Sequence, residues 1–425
     1  MRFRVSSSIS LTIVACIFLI RFPVKFWLEP PFLMDFEVFR AIGIRILQGD
    51  ATHLYAPVQT TLALFKYAPV WALPWIPFGW LSSHLGAVLW SGLNVLWLVL
   101  TLRLAASLCH AQGLTIPWWL APVTALLLAR ILSAEFLNGQ TDLLWACLTT
   151  SGICWASTGR RSAAALAFAL AISLKLPAAL FLPYFACQRH WSLLGRTLLC
   201  LAALNLIGAW LLVPSEPLHL VTDWLTVLRG SGPERAFEIG AQSLLALVAR
   251  FASADGFHLN VLNLPRAGVV ALTGLIELVL FGLVALRRPA STTSLRWVLD
   301  SACLTAFMAL FSPTCWLATY SVLLVPLFVL LAVTANPIPT ATSSRLAWRW
   351  PIAITALSLL THRKVWRWIG VPRIGQESYT FLVAVIPAWL ALVVSAALWL
   401  RSTRPSTAPH PQPAPPRRRA TTAAG

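Results

Sequence analysis

Several charged and amide side chains lie within or beside apolar stretches of this chain, where they are costly unless they serve a function. They are a carboxylate after the first apolar run, two cations, three amides and a tyrosine: Asp35, Lys175, Arg250, Asn138, Gln140, Gln242 and Tyr67. Carboxylates can accept protons, and cations and amides can bind anionic or hydroxyl groups. These residue types could therefore perform proton transfer and bind a polar ligand.

The elements that must position these side chains are membrane helices. The 425-residue chain is 58% hydrophobic and 11% charged, whereas a soluble domain carries about a quarter charged residues. A hydrocarbon core takes roughly 17–25 apolar residues to cross. Runs of this length lie at 84–108, 192–213, 266–286, 316–334 and 378–400. Because unpaired backbone groups are costly in lipid, we predict an all-α polytopic membrane protein with ten to twelve transmembrane helices.

Basic residues in the loops predict the sidedness of the chain, because they favour the cytoplasm. Arg2 and Arg4 place the N-terminus inside, and the "TGRR" loop at 158–161 should also be cytoplasmic. Residues 29–83 and 214–265 then lie outside. All the polar candidates reach that same side, which predicts a cavity open to the outer leaflet. We expect a multi-pass protein of the plasma (inner) membrane with its active site facing the extracytoplasmic side.

The domain organisation is simple. We predict one transmembrane domain over residues 1–401 and a disordered, basic, Pro- and Ala-rich cytoplasmic tail over 402–425. The count of crossings places the basic stretch at 361–373 outside the cytoplasm, whereas its positive charge favours the cytoplasmic side. The formal charge of +18 is spread over loops and does not indicate nucleic-acid binding. Eight cysteines without a CxxC pair indicate buried thiols, with neither a disulfide framework nor a metal.

A set of short motifs carries a family resemblance. "MDFEVFRAIGIRILQGDATHLY" followed by "FKYAPVWALPWIP" resembles the opening of glycosyltransferase family 87. Four later elements follow in the family's order: "NGQTDLL" (138–144), "LKLPAALFL" (174–182), "QSLLALVAR" (242–250) and "FSPTCW" (311–316). The resemblance spans about residues 30 to 330. The family consists of polyprenyl-phosphate-sugar-dependent enzymes of the GT-C class, including bacterial α-mannosyltransferases, so it implies a GT-C-like helical bundle.

One motif departs from the family pattern. Family members often follow Ser-Pro-x-Ser-Trp with one or two histidines, whereas this chain reads "CWLATY", with Ala318 and Thr319 there. An acceptor contact or proton relay assigned to that histidine has no counterpart at these positions.

The resemblance implies transfer of a sugar, such as the hexose mannose, from a polyprenyl-phosphate donor to a lipid-linked or glycan hydroxyl. The leaving phosphate needs no general acid, but the acceptor hydroxyl needs a general base. One carboxylate therefore suffices for a single displacement with inversion, whereas glycoside hydrolysis uses two. No cofactor is implied.

Asp35 is the candidate base, because it lies where the chain emerges beside a lipid-anchored headgroup. It could also, or instead, be the N-cap of the helix "FEVFRAIGIRIL". Glu37 could join Asp35 in a metal pair, but we favour an ion pair with Arg40 three residues on. Asp50 beside a glycine is typical of a turn.

Lys175 and Arg250 are the candidate ligands of the donor phosphate. A lysine in "AISLKLP" would be costly unpaired, so either Glu135 or a phosphate should pair with it. Arg250 could instead extend to the membrane surface from a helix end. The candidate sugar and acceptor ligands are Tyr67, Asn138, Gln140, Gln242 and Trp316, although amides can also bridge helices.

Two other classes of function are compatible with buried polar residues. A secondary transporter would have two related halves and polar sites near the bilayer midplane. A structural or assembly protein would need no shared cavity between Asp35 and Lys175. The chain shows no similarity between its halves, and its polar residues gather at one side, which favours the glycosyltransferase.

Overall fold

The computed structural model describes residues 2–58, 63–230, 236–238, 240–254, 261–287 and 289–336. Within these ranges all regular structure is helical, apart from an isolated bridge between Ser253 and Leu264. The α-helices are α1 Arg2–Leu19, α2 Lys25–Leu28, α3 Met34–Leu47, α4 Ile76–Gly79, α5 Ser83–Ala111, α6 Leu120–Leu127, α7 Ala129–Asn138, α8 Asp142–Ser157, α9 Arg161–Leu174, α10 Phe181–Cys187, α11 Trp191–Leu212, α12 Pro217–Gly230, α13 Leu244–Ala252, α14 Arg266–Ala285, α15 Leu295–Leu310 and α16 Leu324–Ala335. Short π or 3-10 segments are Ile20–Val24, Ala51–His53, Pro69–Trp75, Leu176–Leu180 and Leu317–Leu323.

Five helical segments in the described part of the chain are long and apolar enough to cross a membrane. They are Ile9–Leu28, Ser83–Ala111, Trp191–Leu212, Arg266–Ala285 and Leu317–Ala335. The polytopic all-helical class is therefore confirmed, and four of the predicted apolar runs coincide with these segments. The predicted run at 378–400, the basic stretch at 361–373 and the tail at 402–425 lie outside the described residues. The total of ten to twelve crossings stays a prediction.

Two breaks in the helices bring polar residues together. α6 and α7 meet at an angle of 67°, which directs the end of α7 toward α3. The predicted break near Lys175–Pro177 also forms: α9 ends at Leu174, Lys175 is extended (φ −142°, ψ 118°), and a 3-10 turn leads into α10. The proline ring cannot continue a regular helix here. Lys175 thus lies at a break between two helical segments, and its extended backbone belongs to neither of them.

The start of α3 is fixed by aromatic packing and by one glycine. The Phe39 ring stacks on Trp75 at 4.4 Å between centroids. Trp90 Nε1 donates to the carbonyl of Gly139 at 3.0 Å. Gly139 ends α7 in the left-handed conformation (φ 70°), and a Cβ there would lie 2.7 Å from Phe36 Cβ. α7 can therefore approach α3 only because residue 139 lacks a side chain.

Gly139→Ala should be destabilising for two reasons, the left-handed backbone and the collision with Phe36. We expect a loss of about 2–4 kcal/mol in unfolding free energy, combining the two effects. Gly113→Ala is the matched control, because Gly113 has φ 75° but nothing within 4 Å of its Cβ position. Thermal unfolding of the detergent-solubilised proteins measures the difference. Equal losses for the two variants would contradict the close approach of α3 and α7.

Candidate active site

Asp35 lies in the first turn of α3, at the outer end of the chain's first apolar segment by the predicted topology. The N-cap of α3 is Leu33, and no side chain caps this helix. The alternative that Asp35 is the helix cap is therefore wrong. Its carboxylate instead accepts a hydrogen bond from Gln140 Nε2 at 2.6 Å, across 105 residues of sequence. Gln140 thus orients the carboxylate that the sequence indicated as the base.

The environment of Asp35 changes its protonation. Burial raises the pKa of this carboxyl to about 6, while the positive charge of Lys175 opposes the shift and the charge of Asp142 adds to it. The Gln140 hydrogen bond lowers the pKa by stabilising the anion. A carboxyl with a pKa near 6 is mostly ionised at neutral pH and still basic enough to accept a proton.

Lys175 forms a buried ion pair, and its partner differs from the expected one. Lys175 Nζ lies 2.5 Å from Asp142 Oδ1, with 17% and 0% of the two side chains exposed. The ammonium also lies 5.8 Å from the centre of the Trp145 ring. The expected partner, Glu135, accepts instead from the backbone N–H of Leu143 at 3.0 Å. Asp142 begins α8 in the "NGQTDLL" motif, and no role was predicted for it from the sequence.

Glu135 and Asp142 form a pair of carboxyl groups behind Lys175. Both residues are fully buried, and the two side chains lie within hydrogen-bonding reach of each other. Glu135 Oε2 and Asp142 Oδ2 receive no hydrogen bond within the described ranges. One proton shared between the carboxyl groups would satisfy both oxygens and leave one negative charge for Lys175.

The "FKYAP" loop lies beside the group formed by Asp35, Gln140 and Lys175. Tyr67 Oη lies 3.0 Å from Thr141 Oγ1, and its carbonyl accepts from Tyr55 Oη at 2.9 Å. The backbone N–H of Ala68 donates to Ser173 at the end of α9, at 3.1 Å. The structure therefore brings Tyr67 into the group that contains Gln140, Asp35 and Lys175.

Gln242 and Trp316 form a second, adjoining group. The backbone N–H of Gln242 donates to the carbonyl of Cys315 at 2.8 Å, and Tyr320 Oη donates to the carbonyl of Gln242 at 2.6 Å. The Trp316 ring lies 2.6 Å from the Cβ position of Gly240. The following 3-10 segment packs against α7 and α8, which carry the carboxyl pair. The "QSLLALVAR" and "FSPTCW" motifs therefore meet beside the first group.

Arg250 and Asn138 are placed differently from the other candidates. Arg250 in α13 is 1% exposed, and its Nη2 donates to the carbonyl of Glu238 at 3.2 Å. The alternative that it extends to the membrane surface is therefore wrong. Asn138 Nδ2 donates to Ala134 within its own helix at 2.9 Å, which is a local role in ending α7.

The remaining acidic residues of the first outer segment have local partners. Glu37 pairs with Arg40 at 3.3 Å and also accepts a hydrogen bond from Ser83. The expected ion pair is thus confirmed, and Glu37 ties α3 to the start of α5. Asp50 pairs with His53 at 2.5 Å in the turn after α3. Among the described residues, no group of three or more His, Cys, Asp and Glu side chains is arranged to hold a metal ion.

Glu37→Gln should leave sugar transfer within about threefold of wild type, because its partners are structural and partly exposed ion pairs contribute about 1 kcal/mol or less. We further expect transfer to persist in the presence of a chelator. Initial rates on membranes with and without chelator measure both points. A chelator-sensitive rate that a divalent ion restores would support an Asp35–Glu37 metal pair instead.

Ala318 and Thr319, which occupy the positions of the family's histidine, have a structural role in this chain. Thr319 Oγ1 accepts a hydrogen bond from the backbone N–H of Trp316 at 3.3 Å, and the backbone N–H of Thr319 donates to the carbonyl of Trp316 at 3.1 Å. The neighbouring Ala318 is buried. These residues fix the backbone of the "FSPTCW" turn and offer no imidazole for proton transfer.

Comparisons with known proteins identify the class and then the family. The helical fold, with five segments among the described residues that are long and apolar enough to cross a membrane, defines the class as a polytopic membrane protein. The sequence profile of glycosyltransferase family 87 matches residues 65–313, which is more than half of the chain. The chain therefore belongs to glycosyltransferase family 87. This membership decides against the transporter and structural alternatives.

Among solved structures, the chain is similar to ArnT from Cupriavidus metallidurans bound to undecaprenyl phosphate. The two chains share 14% identity with a TM-score of 0.41, over 92% of this chain and 76% of that chain. No curated protein sequence matches the chain.

Proposed function

We propose that this membrane glycosyltransferase moves a hexose, such as mannose, from a polyprenyl-phosphate donor to a lipid-linked or glycan hydroxyl. The reaction takes place at the extracytoplasmic side of the plasma membrane. The observation that carries the proposal is the position of Asp35: a half-buried carboxylate oriented by Gln140 and close enough to Lys175 for the ammonium to influence its pKa. A carboxylate base within electrostatic reach of a buried cation suits an acceptor hydroxyl next to a donor phosphate.

Asp35 acts as the general base in this proposal. It removes the proton of the acceptor hydroxyl while the hydroxyl oxygen attacks the anomeric carbon and the bond to the phosphate oxygen breaks. The polyprenyl phosphate leaves as an anion and requires no proton. Because a single carboxylate takes part and no covalent intermediate forms, the configuration at the anomeric carbon inverts.

Lys175 holds the donor phosphate, because its ammonium lies in a largely buried site where a charge-assisted hydrogen bond is strong. Arg250, buried in α13, is the second phosphate ligand. The sugar and acceptor hydroxyls are bound by the remaining candidates, Tyr67, Asn138, Gln140, Gln242 and Trp316. Asn138 is the weakest member of this set, because its amide already donates within α7.

Incubation of membranes with radiolabelled polyprenyl-phosphate mannose and polyprenyl-phosphate glucose tests the donor class. We expect label to appear in a lipid or glycan product in membranes with the wild-type protein, and not in matched membranes that carry the Asp35→Asn variant. Product analysis then identifies the sugar and the anomeric configuration. Transfer from a nucleotide sugar with the polyprenyl phosphates inert would contradict the donor class.

The proposed orientation has its own test. Arg160→Cys lies in the basic loop after α8, and Ser215→Cys lies in the exposed segment after α11. In intact cells, an impermeant maleimide should label the Ser215 variant and not the Arg160 variant. After permeabilisation both should react, which controls for the reactivity of each thiol. Labelling of position 160 from outside would reverse the orientation.

A further inference from the structure

Glu135 lies at the centre of the turn that joins α7 to α8. Its backbone carbonyl accepts hydrogen bonds from the N–H groups of Gly139 at 3.0 Å and Gln140 at 3.1 Å. Its carboxylate Oε1 accepts from the backbone N–H of Leu143 at 3.0 Å, in the first turn of α8, which has no capping side chain at its N-cap position. A role as the cap of α8 therefore explains one oxygen of this carboxyl group and leaves the other unexplained.

The second oxygen of Glu135 is one of two buried acceptors that lack a donor. The Glu135 and Asp142 side chains are fully buried and lie within hydrogen-bonding reach of each other. Glu135 Oε2 and Asp142 Oδ2 have no hydrogen-bond partner among the described residues. Two carboxylates this close repel each other when both are ionised, whereas one proton between them supplies the missing donor. The contacts of the pair therefore suit a singly protonated state.

The charge of this pair affects what Lys175 can bind. Lys175 Nζ lies 2.5 Å from Asp142 Oδ1, and 17% of the lysine side chain is exposed. With one proton on the pair, a single carboxylate balances the ammonium. Without the proton, two carboxylates oppose one ammonium, and a net negative charge remains in a buried site where charges interact strongly. An anionic phosphate should then bind less tightly to Lys175.

We propose that Glu135 is a positioning residue for Lys175 and acts through a proton that it shares with Asp142. While the pair holds the proton, Asp142 is satisfied by two donors, and the ammonium can direct its other N–H groups to the donor phosphate. When the proton is released to solvent at high pH, both carboxylates attract the ammonium and repel the phosphate. The inference rests on the proposed function, because the ligand of Lys175 is the phosphodiester of the lipid-linked donor.

Other ionisable groups face the pair from the elements packed around it. Asp35 in α3 and Tyr67 in the "FKYAP" loop are close enough to Asp142 for their charges to interact with it. Cys315, just before the 3-10 segment, interacts with Asp142 in the same way. Lys175, Tyr67 and Cys315 can each lose a proton at alkaline pH. A change in donor binding with pH must therefore be assigned by substitution within the pair itself.

Binding of a labelled polyprenyl-phosphate sugar to the detergent-solubilised full chain, from neutral to alkaline pH, tests the proposal. The wild-type dissociation constant should rise about tenfold for each pH unit above a midpoint, which is the slope for one proton. Glu135→Gln should keep at alkaline pH the affinity that it has at neutral pH, because the amide can accept from Leu143 and donate to Asp142 at every pH. Glu37→Gln, the same change outside the pair, should retain the wild-type rise. The transfer rate at saturating donor should stay level over this range.

The shared proton also has a readout that needs no donor. The infrared difference spectrum between the wild type and Glu135→Gln at neutral pH should contain the C=O stretching band of a protonated carboxyl group, and this band should shift in D2O. In the wild type alone, the band should disappear at alkaline pH with the same midpoint as donor affinity. This second measurement decides the matter even if Glu135→Gln folds poorly.

Three outcomes would overturn the proposal. The first is an alkaline rise in the dissociation constant that Glu135→Gln retains, which would assign it to Lys175, Tyr67 or Cys315. The second is a wild-type affinity that does not change with pH, and the third is the absence of the protonated carboxyl band. A wild-type protein that shows the band but binds no polyprenyl-phosphate sugar at any pH would instead contradict the proposed function.

Discussion

Asp35→Asn should lower the rate of sugar transfer at least about a hundredfold, the usual contribution of a general base. The amide has nearly the shape of the carboxylate and can still contact Gln140, but it cannot accept the proton of the acceptor hydroxyl. Because Leu33 and not Asp35 is the N-cap of α3, the substitution removes no helix cap. Expression and donor binding should therefore stay near normal while turnover falls.

The pH dependence of transfer supplies a second readout for the same residue. With the Asp35 pKa raised to about 6, the wild-type rate should be level above this pH and fall about tenfold for each unit below it, because only the ionised carboxylate is a base. The residual rate of Asp35→Asn should lack this acidic limb. Near-normal transfer by the variant, or a wild-type profile that is flat through pH 6, would contradict the role of base.

The sequence predicted the membrane helices well because hydropathy is a local property. α5, α11, α14 and the segment ending in α16 are each apolar over a full bilayer thickness, and no tertiary contact is needed to recognise them. The break at Lys175 was also predictable, since the following proline excludes a regular helix whatever its neighbours do. Such features depend on a few consecutive residues.

The partners within the site could not be predicted in the same way. The sequence offered Glu135 or a ligand phosphate as the partner of Lys175, whereas the structure pairs the lysine with Asp142, 33 residues away. The difference arises from the turn at Gly139, whose left-handed backbone ends α7 and lets α8 begin with Asp142 facing the break. The Glu135 carboxylate instead accepts a hydrogen bond from the backbone N–H of Leu143. The turn between α7 and α8 therefore decides which acidic residue pairs with Lys175. Hydropathy carries no information about this turn.

Lys175→Met should reduce donor affinity and also reduce stability, because the lysine has two roles. Loss of a charge-assisted contact costs about 1.5–3 kcal/mol, so the donor dissociation constant should rise about 10- to 100-fold. Unfolding should become easier by about 3–5 kcal/mol, because Asp142 is left as a buried charge without its partner. The buried ion pair with Asp142 therefore gives Lys175 a role in folding as well as in donor binding.

Lys175→Met combined with Asp142→Asn separates the two roles. The double change removes both charges, and the new amide at position 142 can donate to the neighbouring carboxyl of Glu135, so most of the lost stability should return. Donor binding should not return, because no cation faces the phosphate. Unfolding midpoints and binding of a labelled polyprenyl-phosphate sugar measure the two properties on the same samples. Recovery of donor binding together with stability would assign Lys175 to folding alone, and the phosphate role would then be wrong.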